Sequence, residues 1–203
     1  MQIHETFQKT IQGEGYHFGR LADFIRLTGC PVGCSFCDTG YSEQDDNGKN
    51  APRYQMTISD LLNELRSPLV VITGGEPFIH RDLPDLVDAI IETGRDLAIE
   101  TSGSFYQLVN DKAWITLSPK HHMNSLYPVH AKIWARANEI KLVISDGTEL
   151  DFYRENLLKK SCPIFLQPEW NDKLNTLQTS LKLLESHPTY RLSIQAHKMI
   201  GMP

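Results

Sequence analysis

Seven short apolar segments, with amphipathic stretches between them, constrain the fold of this chain more than any other feature. Residues 22–27 (ADFIRL), 69–73 (LVVIT), 97–101, 114–117, 140–144, 164–167 and 191–195 read as strands. The second is apolar enough to be buried on both faces. Residues 58–65, 83–92, 149–159 and 176–185 carry helical spacing, with Leu83, Leu86, Val87, Ile90 and Ile91 on one face of the second. Such alternation predicts an α/β fold with a mainly parallel sheet. A chain of 203 residues is too short for a closed eight-stranded barrel of about 250 residues, so an open, partial TIM-like barrel in one domain (1–203) is expected.

Ligands of such sheets gather at the carboxyl ends of the strands. The residues there are polar, glycine-rich or ligating: Cys30 after the first strand, Gly74-Gly75-Glu76 after the second, Ser102-Gly103 after the third, Ser118-Pro119-Lys120 after the fourth and Pro168-Glu169 after the sixth. Hydrophobic residues make up 40% of the chain and charged ones 22%, enough apolar material for a core and too much for a disordered chain. The formal charge is −5 with no basic block, which argues against a nucleic-acid partner. No apolar run approaches the ~20 residues of a membrane span, and the opening MQIHETFQKT lacks a secretory pattern. A soluble, cytoplasmic protein with no membrane partner is expected. Residues 42–53 (SEQDDNGKNAPR) read as an exposed loop.

Of the four cysteines, Cys30, Cys34 and Cys37 fall within eight residues and Cys162 stands alone. A zinc site brings four protein ligands, with pairs from two chain segments, and there is no second pair here. Completion of a zinc site by Cys162 is the alternative. Three thiolates on one tight loop suit three irons of a cubane cluster and leave the fourth iron for an exogenous molecule.

The loop Cys30-Pro31-Val32-Gly33-Cys34-Ser35-Phe36-Cys37 resembles the CxxxCxΦC signature of the radical S-adenosylmethionine (SAM) superfamily, and Thr73-Gly74-Gly75-Glu76-Pro77 resembles its GGEP-like turn. Further segments are Thr10-Ile11-Gln12-Gly13-Glu14-Gly15, Arg26, Cys37-Asp38-Thr39, Glu100-Thr101-Ser102-Gly103, Ser118-Pro119-Lys120, Gln167-Pro168-Glu169-Trp170 and Ser193-Ile194-Gln195-Ala196-His197-Lys198. Together, in order and over nearly the whole chain, they resemble the 7-carboxy-7-deazaguanine synthase family of queuosine and deazapurine biosynthesis.

The resemblance implies a radical SAM lyase on a shortened barrel of about six strands, working as a homodimer with a 4Fe-4S cluster, SAM, Mg²⁺ and an external, flavodoxin-like electron donor. Its substrate would be 6-carboxy-5,6,7,8-tetrahydropterin, contracted to 7-carboxy-7-deazaguanine with loss of ammonia. The cluster ligands would be Cys30, Cys34 and Cys37, and the Mg²⁺ ligand Thr39. Cofactor contacts would fall on Gly75, Glu76, Thr101, Ser118, Pro119, Lys120, Gln167, Pro168, Glu169 and Trp170, although the family pattern is closer to QP-x-D at the last of these segments. Substrate contacts would fall on Ile11, Gln12, Gly13, Glu14, Arg26, Thr73, His197 and Pro203. No residue is assigned as a general acid or base.

The residues read by themselves leave alternatives. Arg26, on an apolar strand, needs an anion, which the substrate carboxylate or a structural ion pair would supply. Thr39 could cap a turn, and the chain end could be disordered. A glycyl-radical activating protein shares the cysteine spacing and is the competing enzyme. An iron–sulfur electron carrier would bring four cysteines per cluster.

Overall fold

The structure, a computed structural model, describes residues 1–40, 53–124 and 126–202. The loop expected over 42–53 lies outside the described residues except for Arg53, and Pro203 lies outside them too. One mixed, unclosed sheet carries the fold, in the order β3-β1-β2-β4-β5-β6-β7-β8-β9. Its parallel part runs from β2 (Leu21–Leu27) through β4 (Leu69–Gly74), β5 (Asp96–Thr101), β6 (Trp114–Leu117), β7 (Glu139–Ile144) and β8 (Ile164–Pro168) to β9 (Arg191–Leu192). β1 (Gln2–Ile11) and β3 (Tyr54–Gln55) extend one edge antiparallel.

The seven strands expected are all present. The last shrinks to two residues at the edge, leaving six strands of ordinary length in the parallel part. β1 was not expected. Its sequence, QIHETFQKTI, is mostly polar, and only the pairing Ile3↔Leu27 to Ile11↔Leu21 against β2 makes it a strand.

Residues two apart on a strand share a face. Ile25, Leu27, Val70, Ile72, Ile99, Ile115, Ile140 and Leu142 face outward into the main core, beneath the helices. The best formed of these is α2 (Leu83–Glu92), which buries Leu83, Leu86, Val87 and Ile90, about 1.5–3 kcal/mol per side chain. The outer layer also holds α1 (Ile58–Glu64), α3 (Ala131–Arg136), α4 (Thr148–Phe152), α5 (Arg154–Leu157) and α6 (Lys173–Ser186), with α7 (Ala196–Ile200) closing the described chain. The single helix expected over 149–159 is two, broken at Tyr153, which is 2% exposed and takes the His122 backbone N–H on its hydroxyl at 3.0 Å. α3 and α7, five or six residues each, were too short for a periodic signal.

On the inner face, Ala22, Leu69, Val71 and Ala98 with Phe24 and Trp114 fill the end where the strands begin. The chain leaving β1 then crosses that end. Tyr16 stacks on Trp114, the first residue of β6, at 4.4 Å, and its N–H donates at 2.8 Å to Glu139, the first residue of β7. This crossing makes a floor, and a cavity of about 250 Å³ opens above it at the carboxyl ends of the strands.

Candidate active site

The cysteine loop follows β2. Cys30, Cys34 and Cys37 are free, half-buried thiols that all line the cavity. Burial pushes the Cys30 thiol up to about 12 and raises Cys34 as well, so metal binding here must release protons. The glycine turn after β4 braces the loop: Gly75 N–H donates to Leu27 and Glu76 N–H to Gly29, both at 2.9 Å. A Cβ on residue 75 would stand 1.9 Å from the Gly29 carbonyl oxygen, so a side chain is excluded by the backbone it would meet.

Cys162 precedes β8 and packs against the core at the opposite end of the sheet from the cysteine loop. It is one strand length, roughly 15 Å, from the carboxyl ends. Among the described residues no three His, Cys, Asp or Glu side chains converge on a single metal ion. A donor set of three thiols on one loop, with the fourth cysteine out of reach, fits a 4Fe-4S cluster and does not fit a zinc site completed by Cys162.

Of the expected cofactor residues, Gly75, Glu76, Thr101, Ser118, Lys120, Gln167, Pro168, Glu169 and Trp170 line the same cavity, whereas Pro119 is buried outside its lining. Glu76, 1% exposed, accepts on Oε1 from Thr101 Oγ1 (2.6 Å) and Phe78 N–H (3.1 Å), and on Oε2 from the Ser102 N–H (2.9 Å) and hydroxyl (2.5 Å). Burial nevertheless raises its pKa. Those donors occupy the lone pairs of a carboxylate, so an incoming ammonium must displace one of them. Lys120 donates to the Ser118 carbonyl (2.8 Å) and hydroxyl (2.5 Å), and its enclosure lowers its pKa. Gln167, 5% exposed, accepts from Ser193 Oγ at 2.8 Å.

The floor is the segment after β1. Ile11, Gln12 and Glu14 line the cavity; Gly13 does not. A Cβ on Gly13 would stand 2.5 Å from His197 Nδ1, so the glycine makes room for that ring. Glu14 and Glu100 both pair with Lys141 Nζ, the latter at 2.9 Å. Gln195 Nε2 donates to Glu14 at 2.9 Å and Gln12 Nε2 to Glu100 at 3.2 Å. Burial opposes ionisation of Glu14, yet the Lys141 ammonium outweighs it and holds the carboxyl below its ordinary range. Glu100 is raised, because burial and the charges of Glu14 and Glu139 outweigh Lys141. Lys141 is held protonated well above its usual value, the two carboxylates outweighing burial.

Arg26, Thr39 and Thr73 line the cavity too. Arg26 has a protein anion, Glu5 on β1, at 2.7 Å from Nε, while its NH1 donates to Thr39 Oγ1 at 3.1 Å. Both alternatives for this arginine are therefore partly met: an ion pair on one side, a cavity-facing nitrogen on the other. α7 brings His197 and Lys198 to the rim, with Lys198 Nζ 2.7 Å from Asp38 and 5.3 Å from the Trp170 ring. The expected substrate contact at Pro203 lies outside the described residues.

Lys141 lines the cavity without having been singled out by the sequence, and Asp38, Gln195 and Lys198, which stand in the quoted segments without an assigned role, line it as well. A signal existed for Lys141: a lone lysine inside the apolar run 140–144 needs an anionic partner, as Arg26 does.

Three comparisons bear on this site. Residues 24–122 match the model of the Radical SAM superfamily. The chain is 37% identical to the 7-carboxy-7-deazaguanine synthase of Synechocystis sp. over 98% of its length and 92% of that protein's, and 34% identical to that of Escherichia coli K12 over 98% of both. It superposes on the crystal structure of QueE from Escherichia coli with a TM-score of 0.81 and 35% identity, over 96% of this chain and 93% of that one.

Proposed function

The chain belongs to the 7-carboxy-7-deazaguanine synthase family of radical SAM enzymes, and we propose that it contracts 6-carboxy-5,6,7,8-tetrahydropterin to 7-carboxy-7-deazaguanine with loss of ammonia. One observation carries the reading: one small cavity is lined by three thiols, by an acidic floor and by Arg26, whose NH1 lies 3.1 Å from Thr39 Oγ1 beside the cysteine loop. Cys30, Cys34 and Cys37 would hold three irons of a 4Fe-4S cluster. When bound, that cluster supplies the electron that opens the sulfonium of SAM.

The chain's own residues orient the rest. Ser118, Lys120 and Gln167 offer polar contacts to the cofactor along the strand ends, and Glu76 offers a carboxylate once it yields a donor. Glu14 accepts hydrogen bonds from the guanidine-like edge of the pterin, and Arg26 faces the substrate carboxylate. Phe7 and Phe24, stacked at 4.8 Å, give the flat ring an apolar wall. Trp170 and α7 at the rim limit access of water. Thr39 would hold Mg²⁺, a hard cation that keeps its waters and takes further oxygens from the substrate carboxylate. A flavodoxin-like electron donor, a homodimer and a cytoplasmic setting complete the proposal; three half-buried free thiols suit a reducing compartment.

The activating-protein alternative would need an opening for a protein radical site. Here the cavity is of small-molecule size and α7 lies across its rim. Anoxic reconstitution, an iron count and a product assay with the carboxylated tetrahydropterin test the reading. A deazapurine product supports it; cleavage of SAM without any deazapurine overturns it.

A further inference from the structure

Lys141 is 5% exposed and sits third in β7, between Ile140 and Leu142. A buried ammonium costs several kcal/mol unless it is paired and hydrogen-bonded. One carboxylate would meet that need, and Lys141 has two, Glu14 and Glu100. Two carboxylates against one ammonium leave the cavity floor with an excess negative charge. The nearby Glu139 is already engaged on the floor itself, accepting from Thr116 Oγ1 (2.6 Å) and the Tyr16 N–H.

Each carboxylate has one oxygen on Lys141 and the other on an amide: Gln195 for Glu14, Gln12 for Glu100. A carboxylate oxygen has about two acceptor sites, so every one of these oxygens keeps acceptor capacity for a ligand, and Glu14, Glu100 and Lys141 all line the cavity. The same cavity also carries the cation Arg26, on β2 before the cysteine loop, with its NH1 3.1 Å from Thr39 Oγ1.

Resting on the pterin reading above, we infer that Lys141 is a positioning residue that sets which way round the substrate lies. By bridging Glu14 and Glu100 it keeps two acceptors fixed on the floor, so the donor-rich 2-amino edge of the heterocycle points down and the carboxylate points toward Arg26. Without the ammonium the two carboxylates repel, one takes a proton, and an acceptor becomes a donor aimed at the same edge.

The experiment measures equilibrium binding to the reconstituted holoenzyme of two ligands: the carboxylated tetrahydropterin, and its lumazine analogue, which has an oxygen in place of the 2-amino group. Substrate-independent SAM cleavage reports an intact fold. The wild-type protein should prefer the pterin by at least about tenfold, since a site built for a donor rejects an analogue lacking it. Lys141→Met should cut that preference to near unity while SAM cleavage persists. The double variant Lys141→Met/Glu100→Gln, in which an amide donor stands where the protonated carboxyl would, should show the same near-unity preference as Lys141→Met.

An unchanged preference in Lys141→Met, or a double variant that recovers the wild-type preference, overturns the inference. A wild-type protein that converts the pterin yet does not discriminate overturns it while the proposed function stands. A wild-type protein that binds neither ligand removes both.

Discussion

Glu76 donates its backbone N–H to the carbonyl oxygen of Gly29 across 2.9 Å, and that bond joins the glycine turn after β4 to the residue preceding the first cysteine. Gly75 comes so close to the same carbonyl that a methyl group would stand 1.9 Å from it. The obstruction is backbone, not the end of a flexible side chain, so Gly75→Ala must displace the cysteine loop. Such overpacking costs about 1–3 kcal/mol. The protein should remain folded by circular dichroism yet lose most of its iron after anoxic reconstitution. Wild-type iron content in Gly75→Ala would show that the turn does not set the loop.

The rim is held more lightly. Lys198 and Asp38 lie 2.7 Å apart, with side chains 21% and 53% exposed. An ion pair so exposed contributes about 0–1 kcal/mol, so Lys198→Ala should raise KM for the pterin about two- to fivefold with kcat little changed. At 1 M salt, where the screening length is about 3 Å, the wild-type and variant values should converge. A KM difference that persists at high salt would mean Lys198 acts by packing on Trp170 instead.

How much of this was legible in the sequence follows from what each residue depends on. The thiols, the glycine turn and the strand-end residues are local: strand, then ligand, within a few positions, and the structure brings them to one cavity. The floor is not local. Glu14 meets Lys141 only because the segment after β1 crosses the strand-start end of an open barrel, and β1 itself is too polar to read as a strand before its partner is known. Glu5 meets Arg26 through the β1–β2 register, which no spacing along the chain reveals. Gly13 and Pro119 stand in the quoted motifs but outside the cavity lining, Gly13 beside His197 and Pro119 buried.

Cys162 gives a direct check on the thiol assignment. It lies at the start of β8, a strand length from the cysteine loop. Cys162→Ala should therefore keep wild-type iron content and SAM cleavage, losing only the packing of a small partly buried thiol. Cys30→Ala, Cys34→Ala or Cys37→Ala should each abolish both. Loss of iron in Cys162→Ala would place it among the ligands and favour the electron carrier with four cysteines per cluster.

Asp23 predicts how the fold responds to acid. On β2, 1% exposed, its carboxylate accepts from Lys9 N–H (3.0 Å), Ser67 N–H (2.7 Å), Ser67 Oγ (2.6 Å) and the Arg66 N–H, so one side chain ties β1 and the turn before β4 to the start of the barrel. Lys9 has a left-handed φ of 57°, beside an irregularity in the β1–β2 register, and Asp23 satisfies its N–H there. Burial alone would raise the Asp23 pKa; the Ser67 hydroxyl and the backbone donors outweigh it and hold the carboxyl below its ordinary value. A group depressed in the folded state stabilises fully above its unfolded pKa, about 3.9, and that contribution is lost as pH falls through the folded value. Asp23→Asn should thus cost about 1–3 kcal/mol at neutral pH, read as a lower urea midpoint. The gap between wild type and variant should be constant from pH 7 to about 5 and should shrink steadily below about 4. A gap that does not narrow on acidification would show that shape, not charge, is what Asp23 contributes.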